Sequence, residues 1–515
     1  MTSGLRIGID VGGTHTDAVA VDPAGRLRAT AKVPTTADVS SGIRRALAEV
    51  LAAVTPERPG YVMLGSTHAV NALLRHRGLH RVAALRLGGP GADRTGPFTG
   101  WPGSLRRAVE AGAQVVAGEV GADGGEAVPF DAAAVARFFG SLAGRAEAVA
   151  ITGVYAPASA RHELLAERIA RRELGPAVPI SLSHEVGGHG LLERENATVL
   201  NAALAAVAGG MATALRRALV AHGLGSVPAY VTQNDGTLMR AEYATRLPIR
   251  TVGGGPANSL RGAAHLTGLR DALVADVGGA STDVGVLSGG APREAAGCAW
   301  IGGVAIDARM PGLVSVAVGG GTIVHRGRRE VSVGPGSIGY DLSRRALVFG
   351  GGTATLTDAA VAAGRAAIGH RMPPAGQSAM LRRALAVADE RVLTALARVG
   401  PGRGRPLIVV GGAGALVPAR PEVVEVLRPA YGAVAGAVGA AVGHVGGEAD
   451  RVAEVSWDGR ERAIGEAREL ARSRAVSAGA DPRGVRIVEM REIPLPRPYE
   501  RSVRITVKAA GPVCG

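Results

Sequence analysis

Short apolar runs closed by glycine turns alternate along the chain with longer stretches in which apolar residues recur every three or four positions. The first kind reads as buried strands and the second as amphipathic helices. Their interleaving predicts an α/β protein whose sheets are covered by helices. At the N-terminus, residues 5–10, 17–21 and 26–33 read as three strands, and 36–54 as a helix with Ile43, Leu47, Val50 and Leu51 on one face. Further strands are predicted over 61–64, 82–87, 148–154, 229–232 and 406–410, and helices over 131–142, 161–174, 193–219 and 377–399. Gly and Pro crowd residues 88–126, which read as a surface insertion. The helical stretch near residue 200 divides the chain into a first domain, 1–200, and a second, 201–447. From about residue 448 the order changes to β-α-β-β, predicted as a small α+β C-terminal appendage over 448–515.

One local pattern occurs twice. Asp10-Val11-Gly12-Gly13-Thr14-His15-Thr16-Asp17 and Asp276-Val277-Gly278-Gly279-Ala280-Ser281-Thr282-Asp283 share the form D-V-G-G-x-x-T-D, each between two apolar runs. Each reads as strand, tight glycine turn, strand. Paired glycines remove Cβ atoms, so the backbone can approach a ligand closely, and the exposed N–H groups of such a turn cradle phosphate oxygens. Asp10 and Asp276, at the strand ends, suit Mg²⁺, which takes a few carboxylates together with substrate phosphates. A single copy reads equally well as an ordinary hairpin. Two copies in two halves of one chain predict a duplicated domain with both hairpins facing a shared cleft.

Other strand ends carry polar groups. In open α/β sheets ligands bind at the carboxyl ends of strands and at helix N-termini. On that rule His68 and Asn71, after the turn at residues 65–67, are substrate-pocket candidates, with helix capping by Ser66 or Thr67 as the alternative. Glu185, Asn234, Asp235 and Asn258 follow strands or open helices in the same way. Arg309 reads either as a phosphate or substrate contact or as a stem covering apolar surface. Gly320 and Gly321 end a strand in a run of three glycines. Gly411, Gly412 and Gly414 form a strand-to-helix turn suited to a flat adenine ring packed on backbone.

The 58 Lys and Arg exceed the 44 Asp and Glu, for a net charge of +14, which raises a nucleic-acid partner. All but Lys32 and Lys508 of these cations are Arg, scattered rather than massed, and aromatics make up 3% of the chain. That reads as the codon bias of a GC-rich genome, not as a nucleic-acid surface. Two cysteines, Cys298 and Cys514, have no metal or redox spacing and fit a reducing compartment. With no secretory leader pattern and no good membrane span, the expectation is a soluble cytoplasmic protein.

In order, these motifs resemble a known superfold. The first hairpin resembles phosphate-1 of the actin, Hsp70 and sugar-kinase group, the second resembles phosphate-2, and 409–418 resembles its adenosine motif. Within that group, Gly12–Asp17, Gly65-Ser66-Thr67 with Asn71–Leu74, Val199–Ala202, Gly254–Ala257 and Thr357-Asp358 look like the ATP-dependent hydantoinase/5-oxoprolinase family, large-subunit type. The resemblance spans about 4–445. It implies two ribonuclease-H-like (actin-like ATPase) domains around a nucleotide cleft, with ATP and Mg²⁺ as cofactors and a cyclic amide such as a hydantoin or 5-oxoproline as substrate. The ring carbonyl oxygen would be phosphorylated to activate ring opening. On this reading Gly12, Gly13, Thr14, Thr16, Gly278, Gly279, Ser281 and Thr282 hold phosphates, Asp10 and Asp276 flank Mg²⁺, and Asp17 and Asp283 orient water or fix the hairpins. His68, Asn71, Glu185, Asn234, Asp235, Asn258 and Arg309 form the substrate side. Ala280 stands where the family often has Thr. Many relatives work with a second hydrolase subunit, so a partner subunit or a homo-oligomer is expected.

Three rivals remain at this level. A sugar or polyol kinase would use the same nucleotide site but needs a cleft Asp as base, for which Asp235 is the candidate. A nucleotide-switched chaperone would need a peptide-binding module, for which the C-terminal segment is small and polar. An ATPase subunit energising a carboxylase fits the same motifs.

Overall fold

The computed structural model describes residues 4–36, 38–121, 124–188, 190–295, 297–327, 330–399, 404–418, 425–454, 457–494 and 502–514. Its frame is a pair of sheets built in the same order. In the first, the antiparallel hairpin Leu5–Val11 and His15–Val21 continues into Leu27–Pro34 on one side. Pro59–Ser66 and then Ala229–Thr232 run parallel to it on the other. In the second, Ala272–Val277 and Thr282–Ser288 form the hairpin, and Ala291–Pro292 and Leu313–Val316 pair with its outer strand. Leu407–Val410 and Val426–Leu427 extend it in parallel. With Ala291–Pro292 and Leu313–Val316 taken as one position beside the outer hairpin strand, each set counted in its own chain order gives 3-2-1-4-5. This is the duplicated ribonuclease-H-like arrangement of the actin-like ATPases. The registers agree too, with Asp10 paired across from Asp17 and Asp276 from Asp283.

Two helices, Gly254–Thr267 and Ala435–Ala441, lie between the sheets. Their small residues permit backbone contact. A Cβ at Gly262 would fall 1.9 Å from the Ala435 carbonyl oxygen, and one at Gly439 1.9 Å from that of Asn258. The glycine-rich stretch at 253–259, which the sequence suggests as a turn, is therefore mostly the first turns of a helix.

Two expectations change. Residues 88–126 are more than a surface insertion. They supply helix Gly103–Val109 and strand Glu110–Ala117, which joins Val82–Gly88, Ala148–Gly153 and Ile180–Leu182 in a separate parallel sheet. Phe98, Trp101, Leu105 and Val109 recur at helical spacing and are buried with Leu73 and Leu200, a pattern that the surrounding Gly and Pro obscure. The C-terminal β-α-β-β segment is present, and it docks by extending the first sheet. That sheet has nine strands, and Val445–Glu454 enters it beside Leu238–Arg240. Ile505, Val507 and Ala509 then share a core with Tyr61, Met63 and Tyr230. Strand Ala229–Thr232 also belongs to the first sheet, so sheet membership does not follow a division at residue 200.

Among the described residues no single helix is long and apolar enough to cross a membrane. The bent pair Leu191–Ala203 and Ala205–Ala221 meets that length and composition only jointly, with a 48° bend.

Candidate active site

The two glycine turns meet. Each is closed by one backbone bond, Gly12 N–H to His15 O (3.0 Å) and Gly278 N–H to Ser281 O (2.9 Å). A Cβ at Gly279 would fall 2.1 Å from Thr14 Oγ1, so the second turn needs glycine where it touches the first. Gly320 and Gly321 back the second turn, donating to Gly278 O (3.0 Å) and Gly279 O (2.7 Å). Gly411 has φ +86°, and its Cβ would lie 2.4 Å from Asp276 Oδ1. Both its conformation and its contact with the second hairpin exclude a side chain. These turns border a cleft of about 1250 Å³.

Asp10, Asp17, Asp276, Asp283, Gly12, Gly13, Thr14, Gly278, Gly279, Ser281, Gly320, Gly411, Gly412 and Asn71 line that cleft. Others stand behind it. Thr16 is buried against the Thr35 hydroxyl (3.2 Å), and Thr282 donates to Val318 O (2.6 Å). Gly321 supports the hairpin, and Gly414 starts a short 3₁₀ turn. Asn258 is fully buried in the helix between the sheets. It donates to Thr232 Oγ1 (3.0 Å) and lies close to Asp10 across Gly65.

The remaining substrate-side candidates are placed elsewhere. His68 Nδ1 bonds the Ser66 hydroxyl (2.9 Å), a local cap-like contact. Glu185 pairs with Arg246 (2.7 Å). Asn234, Asp235 and Arg309 border a separate, much smaller cleft. There Asn234 accepts from Gly253 N–H (2.8 Å) and donates to Ile249 O (3.1 Å). Asp235 pairs with Lys508 (2.5 Å). Arg309 meets Glu294 (3.2 Å), Glu448 (3.1 Å) and Glu489 (3.6 Å). The cause is the C-terminal segment, which brings Glu448, Glu489 and Lys508 over strand ends that would otherwise be open. Asp358 is also structural: with Thr355 it forms a reciprocal cap at the start of Leu356–Ala362.

The carboxylates of the main cleft are crowded. Burial pushes Asp10 up to about 7, with Asp17 and Asp276 adding to the shift and Lys32 opposing it. Asp10 Oδ1 is buried without a hydrogen-bond partner among the described residues. Burial raises Asp276 as well, against the Ser259 hydroxyl and Lys32. Asp283 is lifted to about 6 by burial, against its bond from the Ser315 hydroxyl. Burial and Lys32 together lower His15 to about 4, leaving it neutral at pH 7. Lys32 had no place in the sequence reading of the site. Its ammonium bonds both oxygens of Asp17 (2.9 Å each) and Ala433 O (3.1 Å), tying the first hairpin to the segment that enters the second helix between the sheets. Its only signal in the sequence is that it is one of two lysines among many arginines.

This donor set suits a divalent cation shared with phosphates. Asp10 and Asp276 influence one another, Asp10 has an oxygen to spare, and the carboxylates outnumber the local cation. Among the described residues no group of three or more His, Cys, Asp or Glu is arranged to hold a metal by itself.

Known proteins share the sequence pattern and the fold. A family model for the hydantoinase/oxoprolinase N-terminal region matches residues 6–174, and the hydantoinase/oxoprolinase model matches residues 194–399. The chain belongs to the hydantoinase/oxoprolinase family. Caprolactamase subunit alpha of Pseudomonas jessenii is 28% identical over 413 residues, covering 74% of this chain and 57% of that protein. The chain thus spans little more than half the length of this curated relative. Among solved structures, nucleotide-free acetone carboxylase superposes with a TM-score of 0.74 at 16% identity, over 99% of this chain and 88% of that one. The ATP-dependent caprolactamase from Pseudomonas jessenii gives 0.74 at 22% identity, over 98% and 87%. At such identities these structures establish the shared fold of this family member.

Proposed function

We propose that this chain is the ATP-using component of an enzyme that opens cyclic amides, of the hydantoin, 5-oxoproline or lactam type. The observation that carries the reading is the pair of D-V-G-G turns in contact across one cleft, with Asp10 and Asp276 at their bases, in a chain of the hydantoinase/oxoprolinase family. Phosphoryl transfer depends chiefly on positioning and charge neutralisation. The turn N–H groups of both hairpins cradle the phosphates. Gly411 and Gly412 face the nucleoside. Asp10 and Asp276 would hold Mg²⁺, which neutralises phosphate charge when bound. Lys32 opposes the upward shift that burial imposes on Asp17 and braces the hairpin.

In the reaction the amide carbonyl oxygen attacks the γ-phosphorus, the bond to the β-phosphate oxygen breaks, and ADP leaves. Water then adds to the activated carbon. Cleavage of the ring C–N bond, with a proton delivered to nitrogen, leaves an acyl phosphate, and a second water hydrolyses it to phosphate and the open amino acid. The curated relative is named as an alpha subunit, so the hydrolytic half is assigned to a second subunit or a second copy of this chain. The low cysteine content fits a cytoplasmic setting. The likeness to acetone carboxylase supports a second reading, in which the same phosphorylation energises a carboxylation.

ATP turnover by the purified chain with Mg²⁺, scored for ADP and for ring-opened product against hydantoins, 5-oxoproline and lactams, tests this. ADP release that rises with a cyclic amide and disappears in Asp10→Asn supports it. A stable phosphate ester formed from a sugar or polyol, with no response to any cyclic amide, overturns it.

A further inference from the structure

Away from the glycine turns the cleft has an apolar wall with a single amide on it. Helix His68–Arg75 starts from Thr67, whose N–H reaches Val11 O (3.4 Å) beside Asp10. Ala69, Ala72 and Leu73 of this helix face the core together with Ala299 and Ile301 of the neighbouring strand Ala299–Ile301. The two periodicities then turn Val70, Asn71 and Leu74, and Trp300 between its buried neighbours, toward the cleft. Trp300 is 72% exposed and Leu74 57%. Met310, against Gly253, continues the wall. Contiguous exposed apolar surface rimming a cleft marks a binding site.

The orientation of Asn71 is set by its neighbour. The Thr67 hydroxyl donates to Val11 O (3.5 Å), so it accepts from Asn71 Nδ2 (3.2 Å). That leaves Asn71 Oδ1 as an acceptor with no partner among the described residues, one helical turn from the strand that carries Asp10.

We infer that this wall is the substrate subsite and that it selects neutral, secondary lactams. Asn71 Oδ1 accepts the ring N–H, which sets the adjoining carbonyl toward the hairpins, and Val70, Leu74, Trp300 and Met310 hold the ring methylenes. The inference rests on the proposed activation of cyclic amides and adds the ring class and the residue that reads it. Arg75, at the outer end of the helix, and Arg293 and Arg398, elsewhere on the cleft, are the cations that would instead favour a carboxylated ring such as 5-oxoproline.

The test is direct binding by calorimetry, with emission of Trp300 as a second readout. The purified chain is loaded with a non-hydrolysable ATP analogue and titrated with ε-caprolactam, N-methylcaprolactam and 5-oxoproline. The secondary lactam is expected to bind about tenfold or more tighter than its N-methyl form, the value of one buried hydrogen bond to a polar group left unpaired. Asn71→Leu should erase that ratio and Asn71→Asp keep it, with analogue affinity unchanged in both as the check on folding. Trp300→Leu should abolish the emission change. An unchanged ratio in Asn71→Leu, or tighter binding of 5-oxoproline than of ε-caprolactam, overturns the subsite. Selective lactam binding without stimulated ADP release leaves the subsite standing and refutes the proposed function. ADP release stimulated equally by both caprolactams does the reverse.

Discussion

Replacing Lys508 by Met should destabilise the fold through a carboxylate remote from the main cleft. Lys508 Nζ lies 2.5 Å from Asp235 Oδ2, and their side chains are 13% and 12% exposed. Asp235 also accepts from the Thr237 N–H (2.9 Å) and hydroxyl (2.6 Å). Burial pushes its carboxyl up, but Lys508 and Thr237 outweigh that and hold it below the ordinary range. Lys508→Met keeps the stem and removes the ammonium, stranding a buried charge. Breaking such a pair from one side costs about 3–5 kcal/mol, and Arg261, which also faces Asp235, favours the lower end. With unfolding entropy of about 2.1 cal/mol/K per residue, the whole chain of 515 residues melting as one unit would lose about 3–5 °C. A smaller cooperative unit would lose more. Lys508→Met/Asp235→Asn should recover most of the loss.

The pH dependence follows the sign of each shift. In the wild type the folded pKa of Asp235 lies below its unfolded value of about 3.9. The pair's contribution is therefore present above that pH and fades as pH falls through the folded value. In Lys508→Met burial dominates, the folded pKa rises above the unfolded one, and the penalty grows from about pH 4 upward. Melting curves by circular dichroism should show a larger gap between variant and wild type at pH 8 than at pH 5. An Asp235→Asn variant that raised KM for the cyclic amide at unchanged Tm would refute the reasoning and return Asp235 to the substrate.

Three further outcomes concern the main cleft. Asp10→Asn should cut ATP turnover by about a hundredfold or more, since a well-placed charge stabiliser is worth that much. Because Asp10 is raised to about 7, its ionised form opposes folding above pH 4, so the variant's metal-free Tm at pH 8 should equal or exceed the wild type's, read by ADP release and melting. Gly279→Ala should push Thr14 off the second hairpin and lower turnover, and Thr14→Gly in the same chain should restore part of it by clearing the contact at 2.1 Å. Lys32→Met should lower turnover at least about tenfold and cost less stability than Lys508→Met, since the Lys32 side chain is 33% exposed and solvent screens part of its pair with Asp17. A Tm loss above that of Lys508→Met would show Lys32 to be mainly a structural brace.

The hairpins were legible because their signal is local. A strand that must end in an acid and then turn against a second backbone leaves few residue choices, and both copies write them out. The actin-like frame follows once the two copies are aligned. Residues 88–126 were misread because Gly and Pro mask the Phe98–Val109 spacing, which only a packed neighbour such as Leu200 explains. The substrate side shows the limit more sharply. Asn234 and Asp235 do sit past the end of strand Ala229–Thr232, as the strand-end rule requires. Whether such an opening stays open depends on what arrives from far along the chain, and here Lys508 arrives and fills it.

The lysines carry the complementary lesson. In a chain whose other cations are all Arg, Lys32 and Lys508 each meet a buried aspartate. An Arg fork is planar and broad, whereas an ammonium is compact and directs three donors to unlike acceptors. Lys32 uses that freedom to reach two Asp17 oxygens and the Ala433 carbonyl from one point. Where composition makes one residue type the default, the exceptions mark positions where geometry outweighed the bias, and this signal needs no motif to be seen.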